Sequence, residues 1–237
     1  MQLLTWAILL IPPLTDDGKI NNTIKDTTAT TKTWDVTINE IMADPDPPAG
    51  SIVYPEYVEL YNKTDHSIKI KNWKFCVGTN CKPLPDISVP ADSFLVLTTP
   101  SGSTLFPAEV NTVGISGFPA LTNTGQTLQL QNEQGNSISV ISYADDWYRD
   151  EAKQEGGYSL EQIDVLNPCA EKQNWKASNS ASGGTPGKRN TVAAAQPDKN
   201  PPEILHVNVL SPEQLEVIFT ESMDSTTLMN LTGYEIS

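Results

Sequence analysis

The stretch Gln126–Tyr143, QTLQLQNEQGNSISVISY, decides the class of fold. Leu128 and Leu130 alternate with polar neighbours, Glu133 to Asn136 supply a turn, and Ile138 and Val140 alternate back. A period of two on both sides of a Gly- and Asn-containing turn is the pattern of a β-hairpin with one buried face. The same grammar extends outward. Asp92–Pro100, DSFLVLTTP, is continuously apolar, as a strand covered on both faces would be. In Tyr57–Asn62, YVELYN, Val58 and Leu60 share one side while Tyr57, Glu59 and Tyr61 share the other, which reads as a half-buried strand. His66–Phe75 alternates through Ile68 and Ile70, then changes parity to Trp73 and Phe75, predicting a bulge near Asn72. Ile38 and Ile41 also differ in parity. That places a bulge at Asn39-Glu40, with the Asn39 side chain available to hydrogen-bond loop backbone. No segment holds a helical period over three turns, so the reading is an all-β sandwich.

Composition narrows the function classes. The chain has 237 residues, 15 Lys and Arg against 29 Asp and Glu, and a net charge of −14. Nucleic-acid binding is carried by clustered cations, so no nucleic-acid partner is expected. Only two histidines occur, His66 and His206, which weakens any site needing a His base or several His ligands. Leu3–Leu14, LLTWAILLIPPL, is too short to span a bilayer. It reads either as the apolar region of a signal peptide, although no Lys or Arg precedes it and no clear cleavage site follows, or as a fragment end. In KFCVGTNCK, a two-residue loop at Gly78-Thr79 would pair Val77 with Asn80 and set Cys76 opposite Cys81, within disulfide reach. Cys169 is left over, so the pairing stays open at this point, as does the alternative of three reduced cysteines.

Four segments are expected: 1–34, an apolar stretch and polar linker; 35–190, the main sandwich; 191–200, a linker; and 201–237, a partial second β module. Within the main unit, residues 144–190 lose alternation but keep Trp147, Tyr158, Leu160, Ile163 and Trp175. An irregular segment with such anchors reads as a strap packed on the sandwich. Residues 201–237 regain alternation in EILHVNVLSPEQLEVIF, but are too few to bury a core alone.

Motifs that suggest chemistry are weak. Glu40, Asp44 and Asp46 cluster in TINEIMADPDPPAG, and Asp-x-Asp spacing begins some calcium loops. Prolines at 45, 47 and 48 favour an extended loop instead. Calcium at Asp44 and Asp46, joined by Glu56 or Glu59, is retained as the alternative to a solvated loop; no other cofactor is expected. GGTPGK lacks the glycine spacing and following Ser or Thr of a phosphate loop, and reads as tight turns. GGYSLE is not a nucleophile elbow. The acids of ADDW and YRDE show no spacing that selects a catalytic pair. Trp147, Tyr148 and Tyr158 read as anchors for the strap rather than as a platform for a sugar ring.

Taken in order, VTINEIMADPDP, EYVELYNKTDHSIKIKNW, LTNTGQTLQLQNEQGNSISVISY and GGYSLEQIDVLNPCAEKQNWKASNSASGGTPGKRN resemble the lamin tail domain in its bacterial, secreted form. The likeness runs from Asp35 to Asn190. It implies an immunoglobulin-like β-sandwich of lamin-tail type with an irregular C-terminal strap. Residues 201–237 resemble the start of a bacterial immunoglobulin-like module. The family also implies a non-catalytic interaction or spacer module of an exported or cell-surface protein, with a protein or surface partner. The alternative is a calcium- or glycan-binding accessory to an extracellular hydrolase. The DNA contacts of nuclear lamins do not carry over to a chain this acidic, and no heptad rod is present.

Overall fold

A computed structural model describes residues 31–197, 199, 203–211 and 214–219. The chain divides into two compact units, one of which is Thr31–Pro197. That unit holds twelve strands: β1 (Val36–Met42), β2 (Tyr57–Asn62), β3 (Ile68–Lys69), β4 (Lys74–Val77), β5 (Asn80–Pro83), β6 (Ser88–Val89), β7 (Ser93–Thr98), β8 (Thr112–Gly114), β9 (Gly125–Gln131), β10 (Ser137–Ala144), β11 (Leu160–Gln162) and β12 (Trp175–Ala177). One sheet runs β12-β11-β1-β2-β7-β8, a second runs β10-β9-β4-β5, and β3 pairs with β6. Every pairing is antiparallel except β7 with β8. The fold is an all-β, immunoglobulin-like sandwich.

Its core forms where the two apolar faces meet. Ile38, Ile41, Val58, Leu60, Leu95 and Leu97 face Phe75, Leu128, Leu130, Ile138 and Ile141, with Trp73 and Trp175 in the same cluster. The bulge in β1 falls between Ile38 and Glu40, which lets both isoleucines reach the core. A second bulge, between Ser137 and Ser139, changes the expected hairpin. After it Ile141 and Tyr143 turn inward, while Val140 is only half-buried. The expected bulge near Asn72 is instead a turn. Asn72 sits at φ 62°, and the parity changes because the chain leaves the small β3–β6 sheet for the four-stranded one.

The segment 144–190 is more regular than its sequence suggests. β11 and β12 lie inside it and extend the six-stranded sheet beyond β1. Trp147 and Tyr148 are buried against the core, and Lys153 sits over the Tyr158 ring at 5.1 Å. A single helical turn, α1 (Glu151–Gln154), is capped by the Asp150 carboxylate, which accepts from the Ala152 and Lys153 amides.

In the β4–β5 hairpin, Val77 pairs with Asn80 and Cys76 with Cys81 across a loop begun by Gly78 at φ 57°. Cys76 and Cys81 are joined by a disulfide, with Cα atoms 4.0 Å apart. From residues 203–219, the described part of the other unit, comes a hairpin of β13 (Ile204–Ser211) and β14 (Gln214–Phe219) on which Ile204, Leu205, Val207 and Val209 are exposed. The apolar stretch of residues 1–15 and the final residues, 220–237, lie outside the described residues.

The disulfide closes a very short loop, so the loop-entropy model gives it about 2 kcal/mol. Leu60 is fully buried between the sheets, and truncating such a side chain costs about 2–5 kcal/mol. In urea unfolding, reduction of Cys76–Cys81 is therefore expected to shift the midpoint modestly and leave one cooperative transition. Leu60→Ala is expected to shift it as much or more.

Candidate functional site

Three glutamates occupy adjacent positions on three neighbouring strands. Glu40 on β1 is paired with Glu59 on β2 and with Glu161 on β11. Strand geometry therefore sets three carboxylates side by side on the face of the sheet opposite the main core. All three are completely buried. YVELYN was read as half-buried, but its outer face is covered too, because residues 178–192 return across it.

The covering segment donates to the acids. Glu40 Oε1 accepts from Tyr57 Oη at 2.8 Å, Ser159 Oγ at 2.6 Å and the Thr185 amide at 2.8 Å. Glu161 accepts from Ser178 Oγ at 2.6 Å, Thr185 Oγ1 at 2.8 Å, Thr191 Oγ1 at 2.7 Å and the Val192 amide at 3.1 Å. Glu59 accepts from the Gly187 amide and from Asn39 Nδ2 at 2.9 Å. Asn39 does not reach loop backbone; its amide bridges Glu59 and the Asn190 side chain. GGTPG is thus more than a set of turns. A Cβ on Gly184 would lie 2.4 Å from Tyr57 Oη and 2.8 Å from Glu40 Oε1, so only glycine lets the backbone approach. Gly187 takes φ 76° to aim its amide at Glu59.

Every one of these donors is neutral, and a buried carboxylate without a cation favours its protonated form. Burial, reinforced by the charge of Glu161, raises Glu40 from 4.5 to about 7. Burial and the neighbouring Glu40 push Glu59 well above the usual carboxylate range. Tyr57 is raised for the same two reasons, burial first and Glu40 second.

The acids singled out from the sequence are scattered by the fold. Glu40 and Glu59 belong to the buried row. Asp44 Oδ2 accepts from Asn123 Nδ2 at 2.6 Å, and its backbone carbonyl accepts from the Gly157 amide at 2.8 Å. The Asp46 amide donates weakly to Asp44 Oδ1 at 3.4 Å, and Glu56 accepts from the Leu121 amide. Among the described residues, no group of three or more His, Cys, Asp or Glu is placed to hold a metal. Trp147 and Tyr148 present no exposed ring. Ser159 is spent on Glu40, while His66 contacts Asp65 and His206 contacts Asn208.

The three glutamates stand far apart in the sequence. Each lies within a stretch that carried the resemblance: Asn39-Glu40-Ile41, Val58-Glu59-Leu60 and Leu160-Glu161-Gln162. An acid beside at least one apolar neighbour, and between two of them only at Glu59, was the available signal. The asparagines in the same stretches have comparable work. Asn62 Nδ2 donates to the carbonyls of His66, Val89 and Pro90, while its Oδ1 accepts from Thr64. Asn174 fastens the loop from Asp164 to Asn167 below Trp175.

Beside the covered acids lies a cavity of about 550 Å³ between the outer face of the sheet, the loop after β11 and the residues leaving the strap. Tyr61 and Phe94 stack in its wall with ring centroids 4.8 Å apart.

These features define a β-sandwich closed by a C-terminal strap, with its row of buried acids committed to holding the strap. Residues 29–145 match the family model of the lamin tail domain, and the sandwich is a domain of that family. The fold continues past the matched stretch, since β11, β12 and the strap complete the sheet that β1 begins. No curated protein matches the chain.

Raised carboxylates give an inverted pH dependence. Between pH 4.5 and about 7 the folded protein binds more protons at Glu40 than the unfolded chain does, so stability falls as pH rises. The melting temperature is expected to drop by several degrees from pH 5 to pH 7.5, and Glu40→Gln is expected to flatten that slope. Gly184→Ala should cost about 1–3 kcal/mol through overpacking at every pH. A slope unchanged by Glu40→Gln would remove that acid as its source.

Proposed function

We propose that the chain is a non-catalytic interaction or spacer module of an exported or cell-surface bacterial protein, serving attachment to a protein or surface partner. The observation that carries this reading is the fate of the polar side chains. The buried acids and hydroxyls that a catalytic site would use are consumed by the strap. Family membership supports the same class. Net charge of −14 disfavours nucleic acid as the partner. Among the described residues no helix is long and apolar enough to cross a membrane.

The Cys76–Cys81 disulfide supports export, because such bonds persist in oxidising compartments. Alkylation of the protein taken directly from its source cells tests this. Cys76 and Cys81 are expected to stay unlabelled until a reductant is added, and immediate labelling would place the domain in a reducing compartment. Calcium and chelator are expected to leave the melting curve unchanged, since Asp44 already serves Asn123 and the Asp46 amide. A rise with calcium that Asp44→Asn abolishes would install the metal-binding reading instead.

A further inference from the structure

We propose that the cavity beside the strap binds a peptide segment presenting an apolar side chain next to a carboxylate, with Arg189 as the anion contact. This rests on reading the domain as an interaction module and assigns that module a site. The volume of about 550 Å³ suits a side chain and its flanking backbone. Its wall is largely apolar: the Tyr61–Phe94 stack, the exposed Leu166, and Ala193 to Ala195.

Most of its polar side chains already make at least one hydrogen bond. Asn39 bonds Glu59 and Asn190, and Asn190 donates to the Gln162 carbonyl at 2.8 Å. Gln162 accepts from Thr37 at 3.4 Å. The two carboxylates in the lining also accept hydrogen bonds: Asp92 from the Tyr61 hydroxyl, and Asp164 from the Leu166 and Gln196 amides. Arg189 is the one cation in the lining, and it has neither hydrogen bond nor ion pair among the described residues. Because Asp92 and Asp164 are turned to the Tyr61 hydroxyl and to backbone amides rather than to Arg189, the exposed guanidinium is left to take a carboxylate carried on an apolar body.

The test is an NMR titration of the full chain with N-acetyl-phenylalanine, its uncharged amide, cationic phenylalanine amide and glucuronate. N-acetyl-phenylalanine is expected to give saturable shifts at Tyr61, Phe94, Leu166 and Ala193–Ala195. The uncharged amide should bind roughly tenfold more weakly, the loss of one charge-assisted contact. Arg189→Gln, at an exposed position, should leave the melting temperature in place and bring the acid down to the level of the amide. Equal binding of acid and amide, tighter binding of the cation or of glucuronate, or an absence of saturable shifts would each overturn the assignment. Hydrolysis of either amide in the same samples would instead sink the non-catalytic reading, so the two failures are distinguishable.

Discussion

Three glutamates side by side in a sheet, with no cation among their partners, constrain everything packed above them. A strand pair that places like charges directly opposite each other is destabilised, and here the arrangement extends over three strands. The structure answers with neutral donors and with protonation. Tyr57 comes from β2 and Ser159 from the residue just before β11, while the Thr185, Gly187 and Val192 amides come from the strap. The strap is therefore held by hydrogen bonds to a fixed row of acceptors. The glycines of GGTPG are conformational conditions of that contact: one must pass close to Tyr57, the other must turn its amide inward.

The same face explains how one sheet supports two kinds of covering. Near Met42, Tyr54, Tyr57, Val96, Phe106 and Val110 it is apolar, with Phe106 edge-on to Tyr57. Toward Glu40, Glu59 and Glu161 it is polar and takes the strap. Tyr57 belongs to both regions, packing its ring among the apolar residues while its hydroxyl reaches Glu40. The cavity lies where the strap departs, so its walls are what remains once the acids have been covered.

Much of the architecture could be read from the chain because strand alternation reports directly on burial. Leu128 with Leu130, Val58 with Leu60, and the parity break at Asn39-Glu40 each placed residues where the core needed them. The disulfide geometry followed from a two-residue loop. The errors have a common cause. Alternation describes a strand's own two faces, and cannot show that a segment more than a hundred residues later will cover the polar one. YVELYN looked half-buried because Glu59 was taken to face water, and GGTPG looked like idle turns because its acceptors lie far away in sequence. The bulge at Ser137–Ser139 moved Ile141 into the place expected of Val140, a shift that a pattern of polar and apolar residues leaves ambiguous. The cavity was illegible for a simpler reason: its walls come from β1, β2, β7, the loop after β11 and the strap.

The Thr185 amide and its acceptor on Glu40 are 145 positions apart in the chain. A nascent chain, leaving a ribosome or threading a pore, therefore presents Glu40 and Glu59 long before the strap that donates to them exists. In water those carboxylates have ordinary acidity and are ionised at neutral pH. Adjacent negative charges on the edge of an unfinished sheet oppose its pairing with another copy. When the strap arrives, burial raises Glu40 and Glu59, and closure takes up protons there. The acids that hold the finished domain shut are thus charged while they wait for the strap and largely neutral once it has closed at Glu40 and Glu59.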